Sequence, residues 1–150
     1  MKWSEYYLGI AEAVKLKSKD QSTQIGAVIV GDDKQIVSTG YNSIPRNIVD
    51  GNDERQLRPE KYYWMEHAER NAIYNAALNG VSTKGTSIYL TCGIPCCDCA
   101  RGIINSGIKK VYCKEQDTTK NREHWDEHAI RSMEMFTEAD VDVIFYPKVL

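Results

Sequence analysis

The chain has 150 residues, a length that allows one hydrophobic core but is short for two independent domains, so we expect one domain over residues 1–150. Its 19 Lys and Arg residues are outnumbered by 21 Asp and Glu residues, which argues against the broad basic surface of a protein that grips long nucleic acids. No apolar run reaches the roughly 20 residues of a membrane span, and the amino terminus lacks the pattern of a secretory signal. We therefore expect no nucleic-acid partner, no membrane contact and a cytoplasmic location.

The first half of the chain predicts a helix, a hairpin and a long loop. Apolar residues recur at helical spacing over residues 4–17, with Ser4 as the expected N-cap. β-branched residues over 25–30 and 35–41, separated by turn formers, predict a β-hairpin. Turn-forming residues then continue without a clear period over 42–59, and loops of that length are often functional.

The second half alternates between helices and strands. The predicted elements are helices over residues 67–79, 97–106 and 125–139 and strands over residues 87–91, 110–113 and 141–145. A hairpin followed by such alternation predicts an α/β fold of three layers, in which a mixed five-stranded sheet carries helices on both faces.

The cysteines indicate a metal site or a redox site rather than disulfides. All five lie in the second half of the chain, and three of them fall between Cys96 and Cys99. In a reducing compartment, a Cys-x-x-Cys pair is typically metal-binding or redox-catalytic. Cys92 and Cys113 lie in apolar, strand-like runs, and we expect them to be core thiols.

Two short motifs begin the two central predicted helices. They are His67-Ala68-Glu69 and Pro95-Cys96-Cys97-Asp98-Cys99. A catalytic zinc ion takes three protein ligands and keeps a fourth position open, and His67, Cys96 and Cys99 supply that set. The start of a helix also stabilises thiolates, which favours metal binding by the two cysteines. The pairing of H-x-E with P-C-x-x-C is the pattern of zinc nucleobase deaminases and predicts that chemistry here.

Glu69 is the predicted proton carrier. It lies two positions after His67, so the two side chains share a site only if the helix points its amino terminus at the metal. In that arrangement Glu69 lies beside the attacking water, and the backbone amide of Ala68 binds a carbonyl oxygen of the substrate.

Other ligand candidates have simpler interpretations. Cys97 is the nearby candidate for a fourth ligand of a structural site, but neighbouring helix residues diverge, so we expect it to point away. His124 and His128 have the spacing of a metal-binding pair on one helix face. They lie among acidic residues, and we interpret them as a solvated surface.

With these residues identified, the chain resembles the deoxycytidylate (dCMP) deaminase branch of the cytidine deaminase superfamily over most of its length. The likeness extends over residues 18–20, 24–30, 38–45, 67–73 and 106–112. The resemblance implies the cytidine-deaminase-like fold and one zinc ion per chain. It also implies hydrolysis of dCMP to dUMP and ammonia, which supplies dUMP for thymidylate synthesis, with activation by dCTP and inhibition by dTTP.

The resemblance also implies further partners and contacts. Family members are commonly homohexamers, and Mg²⁺ is a further candidate cofactor that would accompany a bound nucleoside triphosphate effector. The family's counterpart of Asn42 contacts the deoxyribose. Gln116 stands where the family often has a tyrosine near the base, so Tyr112 is a candidate for that role. Candidate contacts with the effector or with phosphates are Lys17, Lys19, Arg46 and Asn47.

Three alternatives remain open at this point. The first is a deaminase of the same fold that acts on tRNA adenosine, free cytidine, guanine or another nucleotide. The second is a nucleotide-binding regulatory module that has lost catalysis, although the presence of Glu69 argues against it. The third is a redox protein that uses Cys96 and Cys99.

Overall fold

The computed structural model describes residues 1–51, 53–115 and 126–147. The helices are α1 (Trp3–Lys15), α2 (Lys61–Trp64), α3 (Ala68–Leu78), α4 (Cys97–Asn105) and α5 (Glu127–Glu138), with a 3-10 helix over Asp53–Gln56. The strands are β1 (Gly26–Val30), β2 (Ile36–Tyr41), β3 (Ser87–Leu90), β4 (Lys110–Lys114) and β5 (Asp142–Tyr146). None of the helices in these ranges is both long enough and apolar enough to cross a membrane.

The five strands form one mixed sheet in the order β2-β1-β3-β4-β5. Strand β1 pairs antiparallel with both β2 and β3, whereas β3, β4 and β5 run parallel. Parallel strands cannot be joined by a tight turn and need a crossover connection, which here contains α4 between β3 and β4 and α5 between β4 and β5. The predicted mixed five-stranded sheet is confirmed.

Helices cover both faces of the sheet, as predicted. Strand β1 is buried along its whole length because alternate side chains enter two different cores. Ala27 and Ile29 pack in a large core with residues of α3, α4 and α5, while Val28 and Val30 pack with residues of α1. The metal-binding motifs predicted from the sequence lie on the side of the larger core.

Helix α3 is held tightly against β2. A Cβ atom at Gly40 would collide with the backbone of Ala72, so only glycine allows this close approach. Ser38 Oγ donates to the Ala72 carbonyl (2.7 Å), and Asn71 Nδ2 donates to the Tyr41 carbonyl (2.8 Å). These contacts fix the position of the amino terminus of α3, where His67 and Glu69 lie.

The predicted helices and strands agree with the observed ones to within two residues at each end, whereas α2 and the 3-10 helix were not predicted. The predicted N-cap Ser4 is wrong, because α1 begins at Trp3 and Lys2 occupies the N-cap position. The Glu5 carboxylate accepts a hydrogen bond from the backbone N–H of Lys2 (3.1 Å), so an acidic side chain in the first turn stabilises the helix start. Residue 125, where the last helix was predicted to begin, lies outside the described residues.

A buried ion pair ties the start of α2 to the segment after α1. The side chains of Lys61 and Asp20 are 9% and 2% exposed, and Lys61 Nζ lies 2.8 Å from Asp20 Oδ2. The second carboxylate oxygen, Oδ1, accepts hydrogen bonds from the backbone N–H groups of Ser22 (2.8 Å) and Thr23 (3.1 Å). Asn42 Nδ2 donates to Asp20 Oδ2 (3.2 Å), so the network reaches the end of β2.

Replacing Lys61 by methionine is expected to lower the free energy of unfolding at neutral pH by about 3–5 kcal/mol, because the Asp20 carboxylate is then buried without its cation.

Burial alone would raise the pKa of Asp20, but hydrogen bonds from Lys61, Ser22 and Thr23 outweigh it and hold that pKa below its ordinary value. The stabilisation from Asp20 is thus present above the unfolded-state pKa of about 3.9 and lost as the pH falls through the lower folded-state pKa. In the variant the pKa of Asp20 rises. The difference in the free energy of unfolding between wild type and Lys61→Met therefore becomes smaller as the pH falls. Urea unfolding at several pH values measures this.

The matched control is Lys19→Met, which breaks an exposed ion pair. Lys19 and Asp50 lie 2.9 Å apart with side chains 70% and 43% exposed, and pairs of that kind contribute less than about 1 kcal/mol. Equal losses of stability in Lys61→Met and Lys19→Met would contradict the structural role of the buried pair.

Candidate active site

Three potential metal ligands meet where α3 and α4 begin. The ligand atoms of His67, Cys96 and Cys99 all lie within 4.8 Å of one another. His67 Nδ1 is 3.5 Å from Cys96 Sγ and 3.3 Å from Cys99 Sγ. One imidazole and two thiolates form a donor set that suits zinc and leaves room for a fourth ligand. The three residues predicted from the sequence are thus brought together.

Local backbone structure aims each ligand at the cluster. His67 has extended torsion angles (φ −78°, ψ 151°) and immediately precedes α3. Its backbone N–H donates to Glu66 Oε1 (2.9 Å), and Glu66 pairs with Ser43 in an isolated β-bridge. Cys96 is the N-cap of α4, and its sulfur accepts from the backbone N–H of Cys99 (3.5 Å).

The pKa values of the two cysteines are shifted in opposite directions. Hydrogen bonds from Cys99 and His67 lower the pKa of Cys96 to about 4, although burial acts in the opposite direction. The hydrogen bond to Cys96 and burial raise the pKa of Cys99. Binding of a divalent metal requires two thiolates and a neutral ligand nitrogen on His67, so it would displace the protons that these groups carry.

Glu69 is a buried carboxylate beside this cluster. The residue is 3% exposed, and its Oε1 has no hydrogen-bond partner among the described residues. Burial raises the pKa of Glu69, while the positive charge of His67 and a hydrogen bond from Cys99 act to lower it. Buried polar atoms are nearly always satisfied, so an unpartnered carboxylate oxygen here fits a site that binds water and substrate.

The remaining cysteines have the predicted structural roles. Cys97 is buried and does not belong to the ligand cluster. Its Sγ lies 3.5 Å from the His128 carbonyl on α5, so it points away from His67. Cys113 is fully buried in the larger core, and Cys92 packs against that core. His128 is exposed, and its Nδ1 accepts a hydrogen bond from the backbone of Cys97.

The four predicted effector contacts line one cavity of about 460 Å³. Lys17, Lys19, Arg46 and Asn47 border it, and none of the three metal-ligand candidates does. Lys19 pairs with Asp50, and Arg46 donates to Asn75 Oδ1 (2.5 Å). Among the described residues, Lys17 has no ion-pair partner, so its charge is available to an anionic ligand.

Two predicted substrate contacts lie in buried positions. Asn42 is 5% exposed, and both N–H groups of its amide are used within the protein, by Asp20 and by the Thr23 carbonyl. Its Oδ1 accepts from the backbone N–H of Ile25 (2.8 Å). Ala68 is the fully buried first residue of α3, where helix geometry leaves backbone N–H groups without intrahelical acceptors. Both contacts stay predictions.

Tyr112 does not fit the role suggested for it. Side chains alternate along β4, so Val111 and Cys113 enter the larger core while Tyr112 faces the opposite side of the sheet. There it stacks on Tyr89, with ring centroids 4.1 Å apart and planes at 6°. We therefore remove Tyr112 from the candidate site. Gln116 and His124 lie outside the described residues.

Sequence reasoning missed several contacts between distant segments of the chain. The ion pair between Asp20 and Lys61 and the contacts of His128 and Ser132 with the turn before α4 join segments far apart in the chain. No local sequence pattern shows that Lys61 is buried or that Asp20 is its partner.

Comparison with known proteins agrees with this geometry. Residues 1–115 match the profile of the family described as the cytidine and deoxycytidylate deaminase zinc-binding region. The chain is 41% identical over 148 residues to an uncharacterised deaminase encoded in the luxG 3′ region of Aliivibrio fischeri, covering 97% of this chain and 95% of that one. It is 37% identical over 134 residues to the deoxycytidylate deaminase of Mus musculus, covering 81% of this chain and 73% of that one.

Solved structures show the same fold. The dCMP deaminase of cyanophage S-TIM5, in complex with dCMP and dUMP, superposes with a TM-score of 0.76 at 24% identity, covering 97% of this chain and 99% of that one. The family profile and the relatives establish the family membership that the two sequence motifs indicate. The chain belongs to the cytidine and deoxycytidylate deaminase family.

Proposed function

We propose that this chain catalyses the zinc-dependent hydrolytic deamination of dCMP to dUMP and ammonia, and so supplies dUMP for thymidylate synthesis. The observation that carries the proposal is the buried Glu69 carboxylate with a free Oε1, next to the cluster of His67, Cys96 and Cys99. A purely structural zinc site has no use for such a carboxylate. The choice of dCMP is supported by the relatives named deoxycytidylate deaminase.

The chemistry divides between the metal and one side chain. Zinc held by His67, Cys96 and Cys99 would supply Lewis-acid chemistry that makes water nucleophilic at about pH 7. Glu69 accepts a proton from the water that attacks C4 of the cytosine ring, and its buried Oε1 is free to accept it. It delivers that proton to N3, then takes the proton of the hydroxyl group added at C4 and passes it to the 4-amino nitrogen. The C4=O bond forms as the C4–N bond breaks, and ammonia leaves. The Ala68 amide is the proposed donor to a carbonyl oxygen of the substrate.

Regulation is assigned to the cavity bordered by Lys17, Lys19, Arg46 and Asn47. Its volume of about 460 Å³ is within the usual range for small-molecule sites, and its basic residues suit phosphate groups. We propose that dCTP activates and dTTP inhibits from this cavity. Mg²⁺ with the effector, the homohexamer, the single domain and the cytoplasmic location stay predictions.

Ammonia release from the zinc-loaded chain tests the substrate and the regulation together. The substrates are dCMP, CMP, dCTP and deoxycytidine, each with and without added dCTP or dTTP. We expect turnover of dCMP alone, raised by dCTP and lowered by dTTP. In Lys17→Ala the response to both effectors is expected to weaken, because the cavity loses a cation whose charge is not neutralised by an ion pair.

Other results would change the proposal in defined ways. Turnover of CMP or deoxycytidine instead of dCMP would keep the chemistry and overturn the substrate. An unchanged effector response in Lys17→Ala would overturn the assignment of the cavity. Absence of turnover with every substrate, despite bound zinc, would overturn the catalytic function.

A further inference from the structure

Helix α5 supplies no metal ligand, yet it contacts the backbone on both sides of Cys96. Ser132 Oγ donates a hydrogen bond to the carbonyl oxygen of Pro95 (2.7 Å). The backbone N–H of Cys97 donates to Nδ1 of His128 (3.1 Å). His128 and Ser132 are four residues apart, so both lie on the same face of α5.

These two hydrogen bonds hold the two peptide groups that flank the Cα atom of Cys96. The Pro95 carbonyl belongs to the peptide group before Cys96, and the Cys97 N–H belongs to the one after it. Each peptide group is planar, so holding both planes fixes the torsion angles of Cys96, which are −65° for φ and 167° for ψ. These angles set the direction of the Cα–Cβ bond and thus the region that the sulfur can reach.

The contact between Ser132 and Pro95 lies in a part of the fold that water does not reach easily. Ser132 is fully buried, and the side chain of Pro95 is among the fully buried ones. Cys97 is 8% exposed, and its sulfur packs against the His128 carbonyl. A buried carbonyl that loses its donor is not readily satisfied by solvent, so the Ser132 hydroxyl has no simple substitute.

We propose that His128 and Ser132 are positioning residues of the metal site. They hold Cys96 in the conformation that brings its sulfur within 3.5 Å of His67 Nδ1 and places it beside Cys99. The inference rests on the metal site of the proposed function and adds α5 to it. Removing a partner that orients a metal ligand typically lowers metal affinity or activity by about 10- to 100-fold.

The test compares metal binding in Ser132→Ala, His128→Ala and His128→Asn. The first two remove one hydrogen bond each, whereas asparagine keeps an acceptor oxygen at a similar reach. We expect zinc transfer to a chelator to become about 10- to 100-fold faster in the two alanine variants. In the cobalt-substituted protein, the thiolate-to-metal absorption bands should shift in these variants and return towards wild type in His128→Asn.

The matched controls lie on the same helix. Thr137→Ala removes a hydroxyl that donates only to the Met133 carbonyl of its own helix (2.8 Å), and Arg131→Ala removes an exposed side chain. Both are expected to match wild type in chelator kinetics and cobalt spectrum. His128 is exposed, so its variants test the proposal even if Ser132→Ala does not fold.

The outcomes separate this inference from the proposed function. If wild type binds metal and the Ser132 and His128 variants release it at the wild-type rate with the wild-type cobalt spectrum, the inference is overturned while the metal site stands. If wild type takes up neither zinc nor cobalt, the metal site is overturned as well. Faster release in both alanine variants, with recovery in His128→Asn, supports the inference.

Discussion

Replacement of Glu69 by glutamine is expected to leave zinc bound and to reduce turnover of dCMP by about 10²- to 10⁴-fold. Glutamine has nearly the shape of glutamate but cannot carry the proton from the attacking water to the ring and the leaving amine. None of the three metal-ligand candidates is altered, so the metal content should remain that of wild type. Steady-state ammonia release and zinc content per chain, measured on the same preparation, check both parts.

The control for this substitution is Glu138→Gln, which neutralises an exposed carboxylate at the end of α5. It changes the net charge by the same amount without touching the site, and we expect wild-type turnover. Full activity in Glu69→Gln would contradict the catalytic role of the carboxylate. Loss of zinc in Glu69→Gln would show instead that the residue supports metal binding.

Much of the fold follows from local sequence patterns. The hairpin of β1 and β2 and the alternation that follows it were predictable because β-branched runs and helical periodicity are properties of neighbouring residues. The start of α1 was not predictable, because Ser4 and Glu5 are both plausible at a helix start. Only the backbone geometry shows that Lys2 is the N-cap and that Glu5 accepts a hydrogen bond from its N–H. The packing of α3 on β2 through Gly40 also depends on tertiary contact.

The same division holds for the site. His67, Cys96 and Cys99 could be predicted because the two motifs carry their ligands at fixed local spacings. His128 is exposed, as the interpretation of a solvated surface expects, but its spacing to His124 could not reveal that it and Ser132 both contact the turn before α4. That pairing becomes visible only once α5 lies against the turn before α4. Tyr112 was misassigned because sequence alone does not show which face of β4 its side chain joins.

Replacement of Cys99 by serine is expected to abolish zinc binding and, with it, all measurable turnover. A serine hydroxyl does not ionise at neutral pH as a thiolate does, so the site is left with His67 and Cys96 and no longer has three protein ligands. Cys99 is fully buried, so the variant also places a polar hydroxyl in an enclosed position. We therefore expect a lower melting temperature, and a melting temperature that no longer changes when zinc is added.

Cys97→Ala is the matched control, because it also removes one thiol but one that points towards α5. It should keep one zinc ion per chain by elemental analysis and the stabilisation that zinc gives. If Cys99→Ser retains zinc, Cys97 or another group acts as a ligand, and the three-ligand assignment fails. If Cys97→Ala loses zinc while Cys99→Ser does not, the metal site is a structural one built differently from the cluster of His67, Cys96 and Cys99.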